Sequence, residues 1–245
     1  VTVMRLNEDG TIGEMTDEVF HKGIGSVAER NFRPHVNCVN ITPDQKYLCA
    51  VDLGVDQVKI YKFNDETGKI TLVDMLRCEL ESAPRIIKFS PDGRFAYLIC
   101  ELKNYISVYT YKDGPRGPVF ELVQTISTLN EYHSKGSAAC VLRFSRDWNY
   151  VLCSNAGDNS VGIFKIDRET GMLEKICILP VSGDYPKAAD FFPDNRHIMS
   201  LNHETNTMTI FKINYEKKYF SMWGKPLKVE TPNCILVSEI EKLPG

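Results

Sequence analysis

Arg85, Glu101, Lys187 and His203 are the residues of this 245-residue chain whose types and positions could do chemistry together. A guanidinium such as Arg85 presents a planar fork that matches a carboxylate or phosphate through two parallel hydrogen bonds. A carboxylate such as Glu101, or an imidazole such as His203, can activate water or shuttle a proton. The set suits a small anionic substrate. What singles these four residues out is an internal repeat.

Four times the chain runs through one strand–turn–strand pattern: His35 to Asp44 with Tyr47 to Asp52 and Val58 to Tyr61; Arg85 to Asp92 with Phe95 to Glu101 and Ile106 to Tyr109; Cys140 to Asp147 with Tyr150 to Asn155 and Val161 to Phe164; Lys187 to Asp194 with His197 to Asn202 and Met208 to Phe211. The turn aspartates Asp44, Asp92, Asp147 and Asp194 therefore stand 48, 55 and 47 residues apart. A period near fifty with several short strands per unit marks a β-propeller or a similar array. Aligned on the aspartates, Asn37, Arg85, Cys140 and Lys187 are equivalent at the start of each inner strand. Leu53, Glu101, Ala156 and His203 are equivalent at the end of each second strand. Antiparallel pairing sets one strand's start beside the next one's end, so both groups are expected at one mouth of a central channel. Repeats should look alike there, and the four positions that are polar and mutually different are the candidates.

The elements that must carry them are short strands. Alternating apolar residues and β-branched or aromatic runs argue for strand throughout. Pro43-Asp44, Pro91-Asp92-Gly93 and Pro193-Asp194 make a first hairpin turn in their units. Gly54-Val55-Asp56, Ala156-Gly157-Asp158 and Glu204-Thr205-Asn206 make a second, and Asp65 to Gly68 and Asp167 to Gly171 a third. Three turns per unit give four antiparallel strands, one blade. No apolar stripe of helical period runs longer than about two turns. The expected fold class is all-β, a β-propeller of one domain over 1–245: half a blade in 1–34, four blades over about 35–230, and a closing strand in 231–245.

Composition narrows the function classes. A net charge of −3 with interspersed signs carries no nucleic-acid or polybasic membrane signal. No apolar run approaches the roughly 18 residues that span a bilayer. Eight cysteines are present, but Cys38, Cys49, Cys100 and Cys153 sit in strands among apolar residues without Cys-x-x-Cys spacing. They are expected to be unpaired thiols rather than zinc ligands, which suggests a reducing, cytoplasmic compartment. Asp44, Asp56 and Asp158 read as turn formers, since their spacing matches no calcium loop. Val1 to Leu6 resembles a third strand and Pro232 to Val237 one strand more, so the chain is expected to be an incomplete propeller.

Several strings are more specific than the repeat. His21-x-Gly23-x-Gly25, Arg30, Pro34-His35, Asp52-Leu53-Gly54-x-Asp56-x-Val58-x-x-Tyr61, Ala83-Pro84-Arg85, and Glu101-Leu102-x-Asn104 resemble the seven-bladed β-propeller lactonase family. That family includes propeller-type 6-phosphogluconolactonases and 3-carboxy-cis,cis-muconate lactonizing enzymes. The resemblance covers residues 1 to about 237, taking in Gly183-Asp184-Tyr185-Pro186-Lys187 and the closing Pro232-x-Cys234-Ile235. It implies seven blades, opening or closing of a lactone, and no cofactor or metal. By this resemblance Glu101, Arg85 and His35 are catalytic, while Arg30, Asn37 and Lys187 bind substrate; His203 joins the substrate-binding set on the repeat alignment alone. Three positions depart from the family: His35-x-Asn37 stands for its usual His-x-His, Asn155-Ala156-Gly157 lacks its arginine, and Lys187 replaces a common arginine.

Three function classes follow. One is a lactonase acting on a sugar lactone such as 6-phosphogluconolactone. Another is a muconate-type cycloisomerase. The third is a non-catalytic propeller that binds a small acid or a protein, which the changes at Asn37 and Ala156 favour, whereas retention of Arg85, Glu101 and the Arg30/His35 segment favours the first two. The expected partner of the first two is a small anionic lactone or carboxylic acid, with no nucleic acid and no membrane. At the residue level, Arg85 with Glu101 could equally be a structural ion bridge in the channel wall. His35 and His203 could be hydrogen-bonding residues at strand ends.

Overall fold

The turn aspartate closes each repeat by accepting hydrogen bonds from its own hairpin. The Oδ1 atoms of Asp44, Asp92, Asp147 and Asp194 accept from the amides of Lys46, Arg94, Asn149 and Arg196 at 2.9–3.2 Å. In three of the four, the hydroxyl two residues earlier (Thr42, Ser90, Ser145) donates to the same oxygen at 2.6 Å. The left-handed residue that such a turn needs is Gln45, Gly93, Trp148 or Asn195. In a computed structural model, residues 1–25, 32–130 and 136–237 are described.

A hairpin, β1 (Thr2–Leu6) and β2 (Ile12–Glu18), comes first. Four antiparallel sheets follow in chain order. The first is β3 (Val36–Ile41), β4 (Tyr47–Asp52), β5 (Gln57–Asn64) and β6 (Lys69–Arg77). The second is β7 (Pro84–Phe89), β8 (Phe95–Cys100), β9 (Tyr105–Gly114) and β10 (Gly117–Ser127). The third is β11 (Ala138–Phe144), β12 (Tyr150–Ala156), β13 (Ser160–Ile166) and β14 (Leu173–Pro180). The fourth is β15 (Pro186–Phe191), β16 (His197–Asn202) and β17 (Thr207–Asn214), whose outer edge is shared by β18 (Tyr219–Met222) and β19 (Leu227–Lys228). The only helical turn among the described residues is the three-residue 3₁₀ turn Leu53–Val55. The sheets are those of an all-β propeller, one per repeat.

The chain divides into two compact units, Val1–Thr125 and Ile126–Gly245. In the first, Cys49, Val51, Val58 and Ile60 pack with Ile87, Ala96, Leu98 and Tyr109 between neighbouring sheets. In the second, Leu152, Val161 and Ile163 pack with Ala189, Ile198, Leu201 and Phe211. Each core lies between two sheets, so in each unit the inner strands are neighbours: β3 beside β7, and β11 beside β15. All eight cysteines are free thiols.

Candidate functional site

Every inner strand carries a β-bulge at the same repeat position. The register slips between Val36 and Cys38, Pro84 and Ile86, Ala139 and Val141, and Pro186 and Ala188. The residues at the slips are Asn37, Arg85, Cys140 and Lys187, the four that the aspartate alignment makes equivalent. A bulge re-aims one side chain out of the alternation of its strand, which is why bulges gather next to functional sites.

A repeated clasp holds the approach to two of these bulges. Asp56 and Asn159 are both left-handed, with φ of 54° and 55°. Their carbonyls accept the amides that end the outer strands, from Cys78 at 2.9 Å and Val181 at 3.0 Å. Their side chains then reach the linker to the next sheet: Asp56 accepts from the Glu81 and Ala83 amides, and Asn159 from the Tyr185 amide, all at 2.8 Å. Ala83 and Tyr185 are themselves left-handed at φ 52° and 59°, a conformation costly for residues with a Cβ unless their surroundings fix it. A buried proline follows, and then the bulged Arg85 or Lys187.

In the first unit the Arg85 guanidinium pairs with the Glu101 carboxylate, which is 1% exposed against 28% for the arginine. Glu101 is fixed from behind, because its amide donates to the Ala83 carbonyl at 2.8 Å. Arg85 is thus the solvent-facing member of the pair, with its fork set by a buried anion. The Asn37 side chain, from the neighbouring inner strand, donates to the Arg85 carbonyl at 3.4 Å. His35 is exposed, and its backbone is pinned on both sides. Its amide donates to Asp52 Oδ1 at 2.7 Å, and its carbonyl accepts from the Leu53 amide at 3.0 Å. Arg30 lies outside the described residues.

In the second unit Lys187 stands 3.4 Å from His203 Nε2 and 5.7 Å from the centre of the Tyr185 ring. His203 Nδ1 is 3.3 Å from the Pro232 carbonyl. That carbonyl can only accept, so Nδ1 carries the proton and Nε2 offers its lone pair to the lysine. The structure therefore brings Arg85 to Glu101 and Lys187 to His203, each pair within its own unit. At the equivalent positions Leu53 and Ala156 are buried and apolar.

One arrangement went unread in the sequence. Asp52 is fully buried and accepts from His21 Nδ1 at 2.6 Å, from the His35 amide at 2.7 Å and from the Gly54 amide at 3.1 Å. His21 Nε2 continues to the Tyr61 hydroxyl at 3.0 Å. Burial opposes the charge on Asp52, but the His21 bond and the two amides outweigh it and hold its carboxyl below the usual carboxylate range. Burial, with the Asp52 charge beside it, raises the Tyr61 hydroxyl. Gly54 serves the same junction: a Cβ there would sit 1.7 Å from the Arg33 carbonyl oxygen. The signal was present in His21 and in Asp52-Leu53-Gly54, but a histidine and an aspartate 31 residues apart do not announce a pair.

Comparison with known proteins agrees with this architecture. Residues 1–237 match the family model described as lactonase, 7-bladed beta-propeller. The 6-phosphogluconolactonase of Bacillus subtilis is 27% identical over 235 residues, covering 96% of this chain and 66% of that protein. An uncharacterized protein of Lactococcus lactis subsp. cremoris is 33% identical over 236 residues, covering 96% and 67%. Among solved structures, the periplasmic gluconolactonase of Pseudomonas aeruginosa superposes with a TM-score of 0.86 at 26% identity, covering 95% of this chain and 64% of that one. A Lactobacillus plantarum protein gives 0.84 at 28% identity, covering 94% and 65%. The chain thus spans about two thirds of the length of these relatives.

Proposed function

Because this chain belongs to the seven-bladed β-propeller lactonase family, we propose that it hydrolyses a sugar lactone such as 6-phosphogluconolactone. The observation that carries the proposal is Arg85, turned out of its strand by a bulge and backed by the buried Glu101. In this reading the Arg85 fork donates to the acyl oxygen of the lactone, where negative charge develops as water attacks. The exposed His35 imidazole takes the proton of the attacking water. The bond between the acyl carbon and the ring oxygen then breaks, and the imidazolium returns the proton to the leaving ring oxygen. The product is the open-chain acid. Glu101, with almost no surface of its own, acts by fixing the arginine.

The relatives named 6-phosphogluconolactonase and gluconolactonase support the substrate class. A binding protein without turnover is the second reading, favoured by the buried, donor-free side chain of Ala156 where the family carries arginine.

Steady-state hydrolysis of 6-phosphogluconolactone by the full-length protein tests the roles. Arg85→Ala should lower kcat by about 10²- to 10³-fold, as loss of an oxyanion donor does. Glu101→Gln should lower it less. His35→Gln should lower it by about 10²- to 10⁴-fold, as loss of a general base does. A loss in Glu101→Gln larger than that in His35→Gln would move the base to the carboxylate, against this assignment.

A further inference from the structure

The clasp that presents Arg85 and Lys187 occurs a third time, and what it presents there is Asn233. Asn206 is left-handed at φ 54°. Its carbonyl accepts the Val229 amide at 3.0 Å, and its side chain accepts the Thr231 amide at 2.7 Å. Thr231 is left-handed at φ 41°, as Ala83 and Tyr185 are at the same place. Buried Pro232 follows, as Pro84 and Pro186 do, and then the exposed Asn233. The register continues beyond it. Ile235 is buried in the core of its unit, as Ile87 and Ala189 are two residues past Arg85 and Lys187.

This third linker meets the second. The His203 imidazole spans them, with Nε2 3.4 Å from Lys187 Nζ and Nδ1 3.3 Å from the carbonyl of Pro232, the residue next to Asn233. The imidazole accepts one ammonium proton of Lys187 and leaves two for a ligand. A primary amide adds two neutral donors. Donors of this kind beside a cation recognise an oxyanion, a phosphate monoester or a carboxylate, as the acidic end of a sugar acid would supply.

We propose that Asn233 is a substrate-binding residue and that, with Lys187 and His203, it forms the subsite for the oxyanion group of the substrate. The proposal rests on the lactonase reading for the identity of that substrate, but binding can be measured without turnover. Calorimetric titration of the full-length protein with 6-phosphogluconate and with gluconate serves as the test, with Asn233→Ala, Lys187→Ala and Glu101→Gln compared with wild type. Asn233 is exposed, so its truncation opens no cavity, and an unchanged thermal midpoint checks the fold. Asn233→Ala and Lys187→Ala should each weaken 6-phosphogluconate binding about tenfold, and in turnover raise KM with little change in kcat. Loss confined to 6-phosphogluconate assigns the subsite to phosphate, and equal loss with gluconate assigns it to carboxylate. Wild-type affinity in Asn233→Ala, or no binding of either acid by wild type, overturns the proposal. Binding without lactone hydrolysis overturns the lactonase reading and leaves the subsite standing.

Discussion

Asp52 shows how one buried carboxylate can join three stretches of chain: His21, the His35 amide and the Gly54 amide all converge on it. The proposed base is thereby held through its backbone, leaving the imidazole accessible. Because the folded state lowers the pKa of Asp52, its contribution is fully present above the unfolded carboxylate value, near 4. It is lost as pH falls through the lower folded value. Asp52→Asn should therefore cost about 2 kcal/mol at pH 7, in the range for hydrogen bonds to charged groups. The gap between wild type and variant should narrow below about pH 4. Denaturant unfolding at several pH values checks this, and a gap that widens in acid would contradict it. The residue scale was half legible in sequence. Arg85 and Glu101 follow from the aspartate alignment, whereas the His21–Asp52–Tyr61 chain depends on a fold contact that no local pattern encodes.

Strands and turns were largely legible, because Asp44, Asp92, Asp147 and Asp194 make their turns with their own side chains and need nothing distant. The bulges were not. Asn37, Arg85, Cys140 and Lys187 share no residue property, and a register slip exists only once two strands are paired. The clasps lie between these cases. Asp56, Asn159 and Asn206 stand at one repeat position and read as turn residues, but their hold on the next linker appears only in three dimensions. Removing a clasp should free the strained residue that it holds. Asn159→Ala is expected to destabilise by about 1–2 kcal/mol, since the Tyr185 amide loses its acceptor. Gly54→Ala should cost about 3 kcal/mol or more, since the new Cβ would collide with the Arg33 carbonyl. Paired unfolding curves check both, and an Asn159→Ala protein as stable as wild type would remove the clasp from the account.

At the scale of the whole molecule, five of the eight cysteines are buried. Burial pushes the thiols of Cys49, Cys100 and Cys153 up to about 12. At neutral pH these three carry almost no thiolate, the reactive form. Thiol titration of the native protein should show Cys234, which is exposed, reacting fast and the buried thiols lagging. In denaturant without reductant all eight should react, and a smaller number would reveal a disulfide. The blades followed from the aspartate repeat and the family from strings such as Ala83-Pro84-Arg85, but Asn37 and Ala156 differ from the family pattern. The most direct measurement is therefore hydrolysis of 6-phosphogluconolactone by the full-length protein, followed by proton release against the spontaneous rate. The account predicts saturable hydrolysis that falls at least about 100-fold in Arg85→Ala with the fold intact. A rate equal to the uncatalysed background, or one indifferent to Arg85, would contradict it.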